Sequence, residues 1–456
     1  MTDIAPARLA ALRHAERQAA TFPDLPLAPP DTSELDARDA ALAHAIAGAV
    51  TRRFLTLETV IHAFLRTPLR DAPPAVQAAL LTGAAQLLFL DRVPAHAAIG
   101  ESVEYAKAAA PRVSGVVNAV LRNLARELTD APEPADPHDP DPALIPIGDG
   151  RARRTRRPLL PAENPARLAA SCSLPLPVLH RWARQFGRDR ATDLALHTLV
   201  SPPVIVNARH APRPPAHAAF LPHDEPGMLV WTGSDGRDLG AALAQSPGTW
   251  VQDPASSSPV ELARLHVDPA GVRTVLDLCA GQGTKTRQLA ACFPDARVIA
   301  TDVDDARRAE LRRVAATLPN CEVVEPDAPA LGRVRADLIV LDVPCSNSAV
   351  FPRRPEAKYR WGADQLARLA KIQREIIAHA GELASPGCTL LYATCSLDTE
   401  ENEDQAHHAT NAGWQMLRDD RRTPRGVPGD PPRGYADGSY AALLRRAGRG
   451  VHSPHA

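Results

Sequence analysis

The chain has 456 residues, 45% of them hydrophobic and 23% charged, with a net charge of −1. That length predicts two or three domains, and near-neutrality excludes nucleic-acid binding by a global basic field, leaving only local patches for such a role. Seven scattered cysteines without a C-x-x-C pair argue against a disulfide framework or structural zinc, and the absence of an apolar leader or long apolar run points to a cytosolic chain outside the membrane.

Residues 1–33, rich in Ala, Arg and Pro, read as an N-terminal extension. From 34 to 130 the pattern is helical. Val76, Leu80, Ala84, Leu87 and Leu88 make one apolar stripe, and Val117, Val120, Leu121 and Leu124 another, with Ser114 available as a cap. Residues 131–163 are dominated by Pro, Asp and Arg and read as a linker. Its end carries Arg151, Arg153, Arg154, Arg156 and Arg157, which suit either a solvated tether or phosphate contacts with RNA. Helical stretches at 164–173 and 175–199 and a short strand at 204–206 make 164–247 a small connecting α+β subdomain. From 248 to 448, strands at 274–279, 297–301, 336–341 and 388–394 alternate with amphipathic helices, which predicts a parallel, Rossmann-like α/β domain followed by a tail at 449–456. Such a sheet binds ligands along the carboxyl ends of its strands.

The residues at those ends carry the chemistry. The first strand runs into CAGQGTKT, where Gly281 and Gly283 make a tight turn to a helix. The dinucleotide fingerprint would need a third glycine at Thr286, so a nicotinamide-dependent oxidoreductase fits poorly. Asp302 closes the second strand, where a carboxylate can hold ribose hydroxyls. A glycine turn and a ribose acid without a phosphate cradle suit S-adenosylmethionine. The next two strands end in Asp342, Pro344, Cys345 and in Cys395, Ser396. Neighbouring strands lie about 4.8 Å apart, so two thiols and a carboxylate can converge. Cys172, Cys279, Cys292, Cys321 and Cys388 lie within apolar segments and read as buried structural residues. Methylating carbon 5 of a cytosine needs this combination. A thiolate added at carbon 6 makes carbon 5 nucleophilic toward a methyl sulfonium, and an acid near ring nitrogen 3 offsets the developing charge.

With these motifs the chain resembles the Sun/Nop-type RNA 5-methylcytosine methyltransferases, above all their bacterial 16S ribosomal RNA branch with an N-terminal NusB-like domain. The likeness extends to LFLDRVPAHAAIGESVEYAK (88–107), VVNAVLRNLAR (116–126), WVQDPASS (250–257) and DGSYAALLRR (437–446). It implies an RNA-binding helical domain and a cofactor loop made by Cys279, Ala280, Gly281, Gln282, Gly283, Thr284 and Lys285. It further implies Asp302 on the ribose, Asp327 near the adenine, and Asp342 at both cofactor and base. Cys395 becomes the nucleophile, Cys345 assists product release, and Lys285 reaches the catalytic site. RRPEAKYRW (353–361) is similar to the family's basic stretch, making Arg353, Arg354 and Lys358 RNA contacts. The implied partner is 16S ribosomal RNA, bound by a monomer without a metal. The family's C-A-A-P-G-G-K-T and C-S-G-T-G loops read CAGQGTKT and CSNSA here. Ala349 replaces a glycine, which would strain the loop if its backbone is left-handed. Competing with this reading is a non-catalytic RNA-binding assembly factor on a relic fold, against which the intact Lys285, Asp342, Cys345 and Cys395 speak. A DNA target would suit the chemistry but not the NusB-like domain.

Overall fold

The computed structural model describes residues 4–129, 131–213, 215, 217–233 and 236–447; the tail expected at 449–456 lies outside them. The chain forms two compact units, the first made of Met1–Ser201, Phe351–Gly362 and Val427–Asp430 and the second of the remainder.

The first unit opens with five helices, α1 (Pro6–Thr21), α2 (Ala37–His62), α3 (Pro74–Phe89), α4 (Ala95–Ala109) and α5 (Ser114–Glu127). α5 buries Val117, Val120, Leu121 and Leu124, the stripe its periodicity predicts. α3 is buried on every face, beyond the single stripe expected. Its Gly83 lets α5 approach closely, since a Cβ there would stand 2.5 Å from Leu121 Cδ1. The helical domain begins at α1 and not at residue 34, because Leu12 and Ala15 share the core of α2–α5. Much of α1's buried face is alanine (Ala7, Ala11, Ala15), which gives little hydrophobic contrast in sequence.

Residues 131–163 are folded. β1 (Glu133–Pro134), β2 (Leu144–Pro146) and β3 (Arg151–Arg154) make an antiparallel sheet in the order β1-β3-β2, and Ile145, Leu159 and Leu160 enter the helical core. The arginine run is engaged by the unit's own acceptors, although only Arg153 is buried. Arg151 pairs with Asp149 and Asp91, Arg153 with Asp91, Arg154 with Glu133 and Asp141, and Arg157 with Glu127, while Arg156 donates to the Arg126 carbonyl. Neither a tether nor a bare phosphate-binding strip describes this segment. α6 (Ala166–Ser171), α7 (Leu176–Phe186) and α8 (Arg188–His197) follow, the last two divided at Gly187, whose φ is +84°.

In the second unit β4 (Val204–Asn207), β5 (Phe220–Pro222), β6 (Met228–Trp231) and β7 (Trp250–Val251) form a small antiparallel sheet in the order β5-β6-β4-β7. The connecting subdomain expected over 164–247 is thus divided, α6–α8 in the first unit and its strands, with the helix Gly236–Ala244, in the second. The large sheet comprises β8 (Thr274–Asp277), β9 (Arg297–Ala300), β10 (Cys321–Val323), β11 (Ala336–Asp342), β12 (Ala384–Thr394), β13 (Trp414–Arg422) and β14 (Ser439–Arg446). Its order is β10-β9-β8-β11-β12-β14-β13. The first five strands are parallel, and β14 runs antiparallel to both neighbours. The fold class is therefore a helical N-terminal domain plus a mostly parallel Rossmann-like domain. The chain order reverses direction between β8 and β11, which opens a crevice at their carboxyl ends.

Candidate active site

The cofactor side of the crevice starts where β8 ends. Leu278–Gly283 turns tightly into the helix Thr284–Cys292, with φ of +56° at Gly281 and +90° at Gly283. At Gly283 a Cβ would lie 2.9 Å from Leu311, so packing as well as conformation requires glycine. At Gly281 a Cβ would meet nothing within 4 Å, which leaves open space over the turn for a ligand. The Gly281 N–H donates to Asp302 Oδ2 at 2.8 Å and the Asp304 N–H to Oδ1 at 2.9 Å. These two bonds fix the Asp302 carboxylate beside the turn, with lone pairs remaining for ribose hydroxyls. Next to it in sequence Val303 is 84% exposed, an apolar side chain left uncovered. Asp327 is exposed beyond β10 on the same side of the sheet. A glycine turn with empty space, a fixed carboxylate and an uncovered apolar side chain fit S-adenosylmethionine.

The reacting side lies at the ends of β11 and β12, paired in register through Asp342↔Ala393. Cys345 Sγ and Cys395 Sγ are 3.2 Å apart. Lys285 Nζ donates to Asp342 Oδ2 at 2.7 Å and stands 3.5 Å from Ser256 Oγ. Burial opposes the Lys285 charge, but Asp342, with Cys395 and Asp277 nearby, holds its pKa above the ordinary lysine value. The ammonium is therefore fixed beside the carboxylate. The hydrogen bond its S–H donates to Cys395, and then burial, keep the Cys345 thiol well above its usual range. Burial likewise lifts Cys172 and Cys321 to about 11 and Cys292 and Cys388 to about 12, as inert structural thiols should be.

Beneath the two cysteines lies a buried polar network whose acids and serines carry no strong sequence signal. The Ser346 N–H and Oγ both bond Glu401, at 2.9 and 2.6 Å. Ser348 Oγ donates to Asp398 at 2.7 Å and accepts from the Leu397 N–H. Gln373 ties Glu401 to the Pro344 carbonyl. This network locks the 345–349 loop against the end of β12. The left-handed residue in the loop is Asn347, with φ of +61°, and not Ala349. Ala349 instead bridges the Cys395 carbonyl and the Gly438 N–H through its own backbone, so the strain expected there is absent.

The basic stretch 353–361 belongs to the first unit. Arg353 and Arg354 are exposed. Lys358 is only 1% exposed and donates to the Arg52 and Cys172 carbonyls, and burial, with Arg53 nearby, pulls its pKa well below the usual lysine value, so its amine is not offered to RNA. The reason is local. α2 is kinked at Arg53 (φ −119°, ψ 18°), which frees backbone groups in mid-helix. Lys358 takes the Arg52 carbonyl, while the Tyr359 hydroxyl donates to the Thr51 carbonyl and accepts from the Phe54 N–H. A further cluster, His210, Glu261 and Cys292, brings three ligand-type atoms within 4.8 Å of one another. Gln288 and Arg264 already donate to its two carboxylate oxygens, so its own hydrogen bonds account for it.

Residues 264–423 match the family model for 16S rRNA methyltransferase RsmB/F, and residues 9–126 match that of the NusB family. A Vibrio cholerae protein named ribosomal RNA small subunit methyltransferase B is 30% identical over 395 residues, 83% of this chain and 82% of that protein. A protein of the same name from Erwinia tasmaniensis is 31% identical over 426 residues, 89% of this chain and 90% of its own length. The crystal structure of PH0851 shares the fold, with a TM-score of 0.68 at 20% identity over 97% of this chain and 99% of that one. Together with the cofactor turn and the strand-end cysteines, this agreement along nearly the whole chain shows that it belongs to the RsmB/F family of 16S rRNA methyltransferases.

Proposed function

We propose that this enzyme methylates carbon 5 of a cytosine in 16S rRNA through a transient bond between Cys395 Sγ and carbon 6 of the base, acting as a cytosolic monomer without a metal. S-adenosylmethionine, when bound, supplies an electrophilic methyl group at the carboxyl ends of β8 and β11. Cys395 attacks because a thiol adds where a poor carbon nucleophile needs activating. Lys285 occupies one oxygen of Asp342 and leaves the other to the cytosine's nitrogen 3 edge, where charge develops. Cys345, its thiol held protonated, is a poor competitor for the first attack and is placed beside the adduct to assist its breakdown. A base inside a stack does not expose carbon 6, so the cytosine is taken from a single strand or flipped out. The single observation that carries this reading is the 3.2 Å approach of two strand-end thiols beside the Lys285–Asp342 pair.

The test is transfer of labelled methyl groups to small-subunit rRNA with analysis of the product nucleoside. Wild type is expected to form 5-methylcytosine, and Cys395→Ala to lose at least roughly 10³-fold in rate, as nucleophile removal does elsewhere. Retained turnover in Cys395→Ala would overturn the nucleophile assignment. We assign the exposed Arg353 and Arg354 to phosphate contacts. Arg354→Ala is then expected to weaken RNA binding at low salt and reduce the slope of log K against log salt by about 1.

A further inference from the structure

We infer that Cys345 and Cys395 form a site of reversible oxidative modification, where a hydroperoxide joins the two sulfurs as a disulfide and switches methyl transfer off. The loss of activity rests on Cys395 being the nucleophile; the bond itself does not. The sulfurs already stand 3.2 Å apart, against about 2.05 Å in a disulfide, a gap that side-chain rotation closes. The backbones are held for it. β11 and β12 are paired to their ends, and beyond them the Val343 N–H donates to the Ala393 carbonyl and the Ala349 N–H to the Cys395 carbonyl. Such neighbouring segments lie about 4.8 Å apart, inside the roughly 4.4–6.8 Å that a disulfide spans between Cα atoms. Asn347 ties the two sides together, its Nδ2 donating to the Cys345 carbonyl at 3.0 Å and its Oδ1 lying 3.3 Å from Cys395 Sγ. Both cysteines are half-buried, so a small oxidant reaches them. Cys172, Cys292 and Cys388 are buried, and their hydrogen bonds go to Ser171, His210 and the Thr389 carbonyl and not to a second sulfur.

The chemistry balances with hydrogen peroxide as the oxidant. One sulfur bonds a peroxide oxygen as the O–O bond breaks, and that thiol's proton leaves with the departing oxygen as water, giving S–OH. The other sulfur then bonds the first as the S–O bond breaks, and its proton leaves with the hydroxyl as a second water. The two thiols lose two electrons in all, and the peroxide gains them. Either sulfur can react first, since the product is the same. With both thiols consumed, nothing remains to add to carbon 6 or to assist breakdown of the adduct. The glycine turn and Asp302 sit at the ends of β8 and β9 and are untouched. In a reducing compartment such a bond is transient, which suits a switch and not a structural crosslink. A dithiol reverses it by exchange and ends as its own cyclic disulfide.

The experiment treats the full-length protein with hydrogen peroxide, blocks the remaining free thiols, and maps peptides by mass without reduction. The expected product is a linked pair of peptides containing Cys345 and Cys395, lighter by two hydrogens than the separate peptides together. Methylation of small-subunit rRNA is expected to fall with the linked fraction, by at least roughly 10³-fold in fully linked protein, the scale of nucleophile loss. Dithiothreitol restores it, while S-adenosylmethionine binding measured by calorimetry is unchanged throughout, which separates a switch from unfolding. In Cys345→Ser no link forms, and Cys395 goes on to a sulfinic acid that dithiothreitol does not reverse. Absence of the Cys345–Cys395 link at peroxide doses that consume either thiol, or a link that forms without loss of methylation, would overturn the inference. A reduced wild type that made no 5-methylcytosine would instead sink the functional reading, and the linked peptide is scored without that assay.

Discussion

Asp277 ends β8 fully buried, with Thr286 Oγ1 donating to its Oδ2 at 2.7 Å. Burial pushes its carboxyl up to about 7, from the ordinary aspartate value of 3.8. Because the folded-state value is the higher one, the folded protein holds this proton more tightly than the unfolded chain. The group's contribution is fully present below about pH 4 and is lost as pH rises toward 7. Asp277→Asn keeps an acceptor for Thr286 and removes the ionisation. Its melting temperature is expected to gain on wild type between pH 4 and pH 7 and to hold that gain above; a gap that narrows with rising pH would contradict the account. Glu261 has the opposite sign. Burial alone would raise it, but hydrogen bonds from His210, Arg264 and Gln288 pull it down to about 2, so its contribution is present above about 4.5 and is lost as pH falls below. At this scale the convergence of Cys345, Cys395 and Asp342 was legible in sequence because chemistry gathers at strand ends, whereas Lys285, on the helix after β8, was implied only by the family resemblance. Asn347, Asp398 and Glu401 were not legible, because a loop asparagine and acids near a helix start look the same whether they face solvent or a buried serine.

The clearest divergence between sequence and structure at the level of elements is the kinked α2 and the turn that repairs it. A basic stretch after a Pro-Cys motif suggests RNA, yet Lys358 and Tyr359 satisfy backbone groups that the kink at Arg53 releases. Sequence periodicity does not reveal a kink that no proline causes. Lys358→Met would take this donor from the Arg52 carbonyl, while the Cys172 carbonyl keeps Thr198 Oγ1, at a cost of about 1–3 kcal/mol in all. Chemical denaturation is expected to show the loss in the helical unit, with the salt slope of RNA binding unchanged. A lower salt slope at wild-type stability would return Lys358 to the RNA surface. The arginine run makes the same point. Its charges were visible, but their partners Asp91, Glu127, Glu133 and Asp141 lie 13 to 62 positions away, a separation no local pattern reports.

For the whole molecule, the helical domain followed by an α/β domain was readable because α5 and strands β8, β9, β11 and β12 carry strong apolar patterns. β10 is three residues long, and β13 reads WQMLRDDRR, an edge strand whose charges hide it and protect the sheet from pairing with another chain. Among the described residues no helix is long and apolar enough to cross a membrane. The two thiols meet only because β11 and β12, 50 positions apart at their cysteines, are neighbours in the sheet. The measurement that tests the central claim most directly is trapping of the intermediate with Cys345→Ala, small-subunit rRNA and S-adenosylmethionine. The account predicts a protein–RNA adduct that survives denaturation, with the modified peptide containing Cys395, and no adduct in the Cys345→Ala, Cys395→Ala double variant. An adduct mapped to another residue, or one that persists in the double variant, would contradict it.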